Sequence, residues 1–262
     1  MASLTDELTF ARDLAVEAGD ITLRYFRTDF GVEMKGWADP VTIADREAEA
    51  LIVRRLRERF RGDGLDGEEE GAKAGTSGRT WLIDPLDGTV NFAGGMPLFA
   101  VVLALVEDEA QERALLNVTY DPIRKELFHA VRGQGAYLNG ERIEVAHHSD
   151  IARAMAHIHL SNRSEVWAAS IEVVKRLSRV APHIRNIGST AIAQAYVASG
   201  RMDAHVKVLS GRWDVVGGNL LVEEAGGVVT MLDGSPWQHY GTLLAAGPEL
   251  HRQFLEVMRG LA

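Results

Sequence analysis

Asp84 and Asp87 stand three residues apart in the block Trp81-Leu82-Ile83-Asp84-Pro85-Leu86-Asp87-Gly88-Thr89-Val90-Asn91-Phe92, a spacing at which two carboxylates can share one cation. The apolar run before them has strand character and Gly88-Thr89 opens a helix, so both acids are expected in the turn between. Pro85 biases Asp84 toward extended backbone and restricts the turn that follows. The Leu86 carbonyl lies between the two acids, and a hard cation such as Mg²⁺ takes oxygen ligands of this kind. Gly88 lets backbone come close to a ligand, while amides at a helix start attract an anion. The chemistry such a block could do is to hold a divalent metal against phosphate. Asp-Pro and Asp-Gly are also common turn pairs, so the block alone is equally well read as a turn and a helix cap.

Two other acidic clusters bear on that choice. Leu65-Asp66-Gly67-Glu68-Glu69-Glu70-Gly71 sets three glutamates between glycines, in a segment too short and broken for a helix face. A glutamate run is usually solvated surface. In Gly211-Arg212-Trp213-Asp214, running on to Glu224-Ala225-Gly226-Gly227, an aspartate beside a tryptophan opens a helix that ends at Gly-Gly. Asp214 could be only its cap.

Taken together, the segments resemble the inositol monophosphatase family, the Mg²⁺-dependent, lithium-sensitive phosphatases related to fructose bisphosphatases. Asp39-Pro40-Val41-Thr42-Ile43-Ala44-Asp45, Gly67-Glu68-Glu69, Asp84 to Phe92, and Trp213-Asp214 through Gly227 follow the family's pattern in order, over nearly the whole chain. The resemblance implies that Glu68, Asp84, Asp87, Asp214 and the Leu86 carbonyl ligate two or three Mg²⁺ ions. It implies that the Thr89 hydroxyl and the Asp45 carboxylate orient or deprotonate a nucleophilic water, with Thr42 supporting Asp45. The Gly88 and Thr89 amides would hold phosphate oxygens. Of the three glutamates the pattern picks Glu68, with Glu69 as runner-up and Glu70 solvated. The implied fold class is α/β, layered helix pairs alternating with two β-sheets (αβαβα), and homodimers are usual in such families.

These residues need elements to bring them together. Leu8, Ala11, Leu14, Ala15, Ala18, Ile21 and Tyr25 recur at helical spacing after Thr5, an expected N-cap, and a second helix is expected from about Thr42 to Arg61. Strand-like stretches follow at Trp81–Ile83, Ala100–Val106, Ala114–Tyr120 and Glu126–Ala130, and Asn139-Gly140 marks a hairpin between Ala136–Leu138 and Arg142–Val145. Strands in succession predict an antiparallel sheet. The later part alternates: strands near Met155–Leu160, Ala204–Val208, Gly227–Met231 and Leu243–Ala246, and helices at Ser164–Leu177, Thr190–Ala198, from Asp214, and Pro248–Arg259. The soft region His147-His148-Ser149-Asp150 divides the chain into halves, 1–146 and 147–262, expected to pack as one compact unit.

Composition narrows the function classes. With 262 residues, 46% of them hydrophobic, the chain can bury a sizeable core. A net charge of −9 argues against a general nucleic-acid surface, since phosphate backbones are bound mainly through Lys and Arg. No cysteine is present, so disulfides, thiolate metal sites and cysteine nucleophiles are excluded. The start lacks the basic-then-apolar layout of a signal peptide, and the most apolar stretch, Met96 to Val106, is too short to span a bilayer. A cytoplasmic protein acting on a small phosphorylated substrate is the expectation, with no membrane partner.

The substrate side is less determined. In inositol-selective relatives a carboxylate commonly stands seven residues before the last aspartate ligand and grips ring hydroxyls; here that position is Lys207. An ammonium is better matched to an anion. With Arg212 or Arg185, Lys207 would favour a doubly anionic substrate, such as a 3′-phosphonucleotide, a sugar bisphosphate or an acidic phosphomonoester. It disfavours histidinol phosphate, whose own ammonium would want a carboxylate. A Lys207 that simply pairs with a nearby acid is equally open. Ser189 and Thr190 resemble the family's substrate-side loop. His157 and His159 alternate on a strand without a third ligand nearby, so they are read as ordinary histidines, and Asp66 and the acids of Glu107–Glu112 as surface. Trp213 is expected to pack under the Asp214 turn. Asp87→Asn is expected to spare the fold and abolish activity. A different class also stays open, because some members of the family act as non-catalytic binding partners in nucleic-acid-linked assemblies.

Overall fold

The computed structural model describes residues 4–36, 39–107, 113–160, 166–208, 212–238 and 241–259, without the side chains of Asp39 and Asp214. The first helix, α1 (Thr5–Tyr25), buries Ala11, Leu14, Ala15, Ala18 and Ile21 along one stripe. Its N-cap is Leu4, one residue before the expected Thr5, a difference within the ordinary spread of helix ends. A hairpin of β1 (Val32–Gly36) and β2 (Asp39–Thr42) follows. The β1 side chains are exposed throughout, so no apolar alternation announced it. The next helix, α2 (Ile43–Arg59), is started by Thr42, whose hydroxyl accepts from Ala44 N while Asp45 accepts from Thr42 N, a reciprocal capping box.

The first sheet holds β3 (Gly64–Gly67), β4 (Gly71–Lys73), β5 (Arg79–Asp87), β6 (Ala100–Glu107), β7 (Ala114–Asp121), β8 (Glu126–Val131), β9 (Gly135–Leu138) and β10 (Glu141–Ile143). Among the described residues its order is β10-β9-β8-β7-β6-β5-β3-β4. The pairing is antiparallel, as expected, except that β3 runs parallel to β5. Asn139 and Gly140 carry φ of 50° and 88°, the left-handed pair that a tight hairpin turn requires. Between β5 and β6 lies one short helix, α3 (Thr89–Ala93).

The second sheet is built from β11 (Met155–His159), β12 (His183–Arg185), β13 (Ala204–Lys207), β14 (Val228–Met231) and β15 (Leu243–Ala246), in the order β12-β11-β13-β15-β14. Here β11 is parallel to both β12 and β13, while β15 is antiparallel to β13 and β14. Its helices are α4 (Trp167–Leu177), α5 (Thr190–Ala198), α6 (Arg212–Glu224) and α7 (Pro248–Met258). The expected start of α4 at Ser164 lies outside the described residues.

Three cores fix the layering. α1 and α2 pack on the outer face of the first sheet through Leu14, Ile52, Trp81, Leu103 and Val118. α5 and α6 lie between the sheets, with Ala195, Ala198, Leu220 and Leu221 meeting Leu82 and Phe128 on one side and Ala245 on the other. α4 and α7 cover the far face of the second sheet through Val173, Leu177, Ile158, Val206 and Phe254. Helix pair, sheet, helix pair, sheet, helix pair is the αβαβα stack expected.

Candidate active site

Strand β5 does not stop at Ile83. It continues to Asp87 against β6, with a register break between Asp84 and Asp87, so the two acids sit on a bulged strand end and not in a free turn. A bulge re-aims side chains locally, and Pro85 has no N–H to give the ladder. Asp84 Oδ1 accepts from Leu86 N at 3.0 Å. Asp84, Leu86 and Asp87 are all buried. Gly88 follows with φ 99°, and a Cβ there would lie 2.8 Å from the Leu98 carbonyl oxygen, so only glycine fits this close approach.

Asp45, in the first turn of α2, is 1% exposed. Its Oδ2 accepts from Thr42 N and Oγ1, and Oδ1 lies 3.2 Å from the Thr89 hydroxyl. Burial pushes the Asp45 carboxyl above the ordinary carboxylate range; the Thr42 hydrogen bonds oppose the shift, and the nearby Glu69 charge reinforces it. The Thr89 hydroxyl also donates to the Leu86 carbonyl at 3.0 Å. The helix start of α2, the end of β5 and the start of α3 therefore meet at three named groups.

Asp87 turns toward the second half of the chain. Its carboxylate accepts from Ser189 Oγ, from Thr190 N at 3.2 Å and from Ala191 N at 2.9 Å, at the N-terminus of α5. Thr190 Oγ1 in turn accepts from Lys207 Nζ at 3.0 Å. Ser189, Thr190 and Lys207 are each buried. Asn91 adds a second tie, donating to the Leu98 and Ile187 carbonyls at 2.8 Å each.

The glutamate run forms the turn between β3 and β4. Glu49, on the buried face of α2, accepts from Glu69 N at 3.0 Å and Glu70 N at 2.7 Å. Lys35 from β1 reaches Glu68 at 3.3 Å and Glu69 at 2.7 Å. Glu70 is exposed and pairs with Lys73. Asp66 corrects its surface assignment: it is buried on β3 and pairs with Arg212 at 3.3 Å, a partner 146 positions away. Arg185 is exposed on β12 and donates to the Ile184 carbonyl. Glu107 is exposed and pairs with Arg113, while the acids at 108–112 lie outside the described residues. Asp214 is the third residue of α6 and so not its cap, its side chain lies outside those described, and Trp213 beside it is half-buried.

A model of the inositol monophosphatase family matches residues 3–260. The chain belongs to the inositol monophosphatase family. It is 36% identical over 257 residues to the Nus factor SuhB of Escherichia coli, covering 96% of this chain and 95% of that one. It is 36% identical over 258 residues to an inositol-1-monophosphatase of Mesorhizobium japonicum, covering 94% and 93%. Among solved structures, the extragenic suppressor protein SuhB of Bartonella henselae superposes with a TM-score of 0.92 at 30% identity, over 98% of this chain and 99% of that one.

The donor set suits the metal this family implies. Glu68, Asp84, Asp87 and the Leu86 carbonyl offer oxygen alone, the preference of a hard cation such as Mg²⁺, and the Lys35 ammonium between Glu68 and Glu69 stands where a cation is favoured. Among the described residues no three His, Asp or Glu side chains are grouped as an ion's full ligand set, with Asp87 drawn to α5 and the Asp214 side chain outside the description. Glu49 and Lys35 escaped the sequence reading. An acid at Glu49, one helical turn after Asp45 on the apolar stripe of Ala48, Ile52 and Val53, was the signal for the first. Lys35 had none, because the exposed β1 gives no pattern.

Proposed function

We propose that this protein is a Mg²⁺-dependent phosphomonoesterase that hydrolyses a small phosphorylated metabolite, with water as the nucleophile. Support comes from the family membership and above all from one contact: Asp45 and the Leu86 carbonyl converge on the Thr89 hydroxyl beside the buried acids Asp84 and Asp87. Glu68, Asp84, Asp87, Asp214 and the Leu86 carbonyl would hold two or three Mg²⁺ ions. When bound, such ions supply Lewis acidity that lowers the pKa of a water and offsets charge on attacking and leaving oxygens. Thr89 and Asp45 orient the attacking water and take its proton, an exchange suited to a carboxyl raised by burial. The Gly88 and Thr89 amides face the phosphate oxygens as charge builds there. The halves 1–146 and 147–262 act as one unit, since Asp87 from the first is held by Ser189 and Thr190 from the second. The protein works in the cytoplasm as a homodimer, and among the described residues no helix is long and apolar enough to cross a membrane.

Mg²⁺-dependent phosphate release from a panel of phosphomonoesters, inhibited by Li⁺ and abolished by a chelator, is the expected result; release indifferent to the chelator contradicts the proposal. The name Nus factor carried by relatives favours a second reading, a non-catalytic partner of a nucleic-acid-linked assembly. Absence of turnover across the panel would promote that reading.

A further inference from the structure

Asp66 and Arg212 each break a local rule. Asp66 is a buried acid on β3, and its ladder neighbour Leu82 packs into the inner helix layer from the same face of the sheet. A carboxylate taken out of water is costly unless it is paired. Arg212 is the first residue of α6, the end of a helix where the dipole disfavours a cation. Across 3.3 Å the two conflicts resolve each other: the guanidinium pairs the buried acid, and the acid offsets the cation at the helix start. Neither residue type is explained by its own element, and each is explained by the other across 146 positions. Local rules broken in this compensated way are expected at functional sites.

Glu68 lies two residues after Asp66, and Asp214 two residues after Arg212. Glu68 is already set against the end of β5, because its N–H donates to the Ile83 carbonyl at 3.1 Å, next to Asp84. No strand ladder can do the same for Asp214, which arrives on a helix from the other half of the chain. α6 packs over β5 to β9 of the first sheet, and Gln194 of α5 ties it within its own layer, donating to the Val215 carbonyl at 3.3 Å and to Asn219 Oδ1 at 2.7 Å. Those contacts hold α6 from Val215 onward; Arg212 carries its first turn out to β3. Apolar packing is non-directional, whereas a charge-assisted hydrogen bond has a defined length and direction.

We propose that Asp66 and Arg212 are a positioning pair, holding the start of α6 against the end of β3 so that Glu68 and Asp214 serve one metal site, a role that rests on the metal-dependent phosphatase reading. Neither side chain of the pair touches substrate. Arg212 is thereby committed to an acid of its own chain and is not an anion-binding residue of the substrate side.

The test measures calorimetric Mg²⁺ binding, melting in chelator and phosphate release on full-chain wild type, Asp66→Asn, Arg212→Met and the double variant. Removing one partner leaves a buried charge unpaired and lowers the melting temperature; removing both leaves none, so the double variant should melt close to wild type. Metal affinity should not recover with it. The Kd for Mg²⁺ is expected to rise about 10–100-fold in all three variants, the range for groups that orient metal ligands, with kcat at saturating Mg²⁺ little changed. An effect of charge alone runs differently: losing Arg212 would tighten Mg²⁺ binding, losing Asp66 would weaken it, and the double variant would match wild type. That pattern, or a Kd unchanged in all three, overturns the positioning role while leaving a metal-dependent phosphatase in place. A wild type that takes up no Mg²⁺ overturns both together. Arg212→Lys, which keeps the charge and loses the guanidinium fork, stands in for Arg212→Met if that variant does not melt cooperatively; a raised Kd in it supports positioning, and an unchanged one overturns it.

Discussion

The Thr89 hydroxyl stands 3.2 Å from Asp45 Oδ1 and 3.0 Å from the Leu86 carbonyl, one donor between two acceptors drawn from separate elements. A single O–H cannot fully serve both, so the group is poised to be shared with a water. Thr89→Ala is expected to lower kcat by about a hundredfold or more, in the range of a lost proton-transfer partner, with little change in melting. Thr89→Ser should recover most of the rate, since it keeps the hydroxyl. Steady-state phosphate release on the three proteins checks this; an unimpaired Thr89→Ala removes Thr89 from the mechanism.

Asp87→Asn carries a stability cost that the sequence alone did not suggest. Relief of repulsion in an acidic cluster predicts an unharmed fold, but Asp87 also receives Ser189, Thr190 and Ala191 at the start of α5, where negative charge is favoured. The variant should be about 1–2 kcal/mol less stable without Mg²⁺, as well as inactive. Thermal melting in chelator reads the first effect and phosphate release the second; a variant as stable as wild type would contradict the capping role.

Glu49 acts through the turn it holds. With Gln in its place the amide keeps one acceptor oxygen for two backbone donors, Glu69 N and Glu70 N. Groups that orient metal ligands typically change affinity by about 10–100-fold, so the Mg²⁺ concentration giving half-maximal activity should rise by that factor in Glu49→Gln. An unchanged Mg²⁺ dependence would show that the turn needs no such support.

Buried histidines set an acid limit on the fold. His129 and His251 are held at about 4, both chiefly by burial, with the Arg12 charge adding to His129. His129 stacks on Tyr137, and His251 Nε2 meets Thr230 Oγ1 at 3.0 Å. Folded values below the free value of 6.5 favour the neutral ring, so their contribution is complete above that pH and is lost as pH falls toward 4. Each can withdraw up to about 3 kcal/mol across that window. Melting temperature should fall between pH 6.5 and 4, and His129→Phe should flatten the curve; an identical slope in the variant would exclude His129 as a cause.

The layered stack was legible because α1 carries a clear stripe, Leu14 to Ile21, because α5 (Thr190–Ala198) and α6 (Arg212–Glu224) are apolar nearly all round, as helices between two sheets must be, and because β6 to β9 are long or turn-bounded. What escaped was short or exposed. Gly64–Gly67 and His183–Arg185 are too brief to show a period, and β1 is exposed at every position. A different reason, distance along the chain, hid the long-range ties. Asp66 reads as one more surface acid until Arg212 arrives from α6, and His157 reads as an ordinary strand residue until β13 brings His205 to 2.7 Å. Spacing reports neighbours along an element, whereas these pairs depend on which elements the fold sets side by side, β3 against α6 for the first and β11 against β13 for the second.

The most direct test of the central claim is calorimetric titration of Mg²⁺ into the protein, run beside phosphate release on wild type and Asp84→Asn. Metal uptake by wild type that rises together with activity, and loss of both in the variant, is the predicted result. No uptake by a folded wild type, or uptake and turnover unaltered in Asp84→Asn, would contradict it.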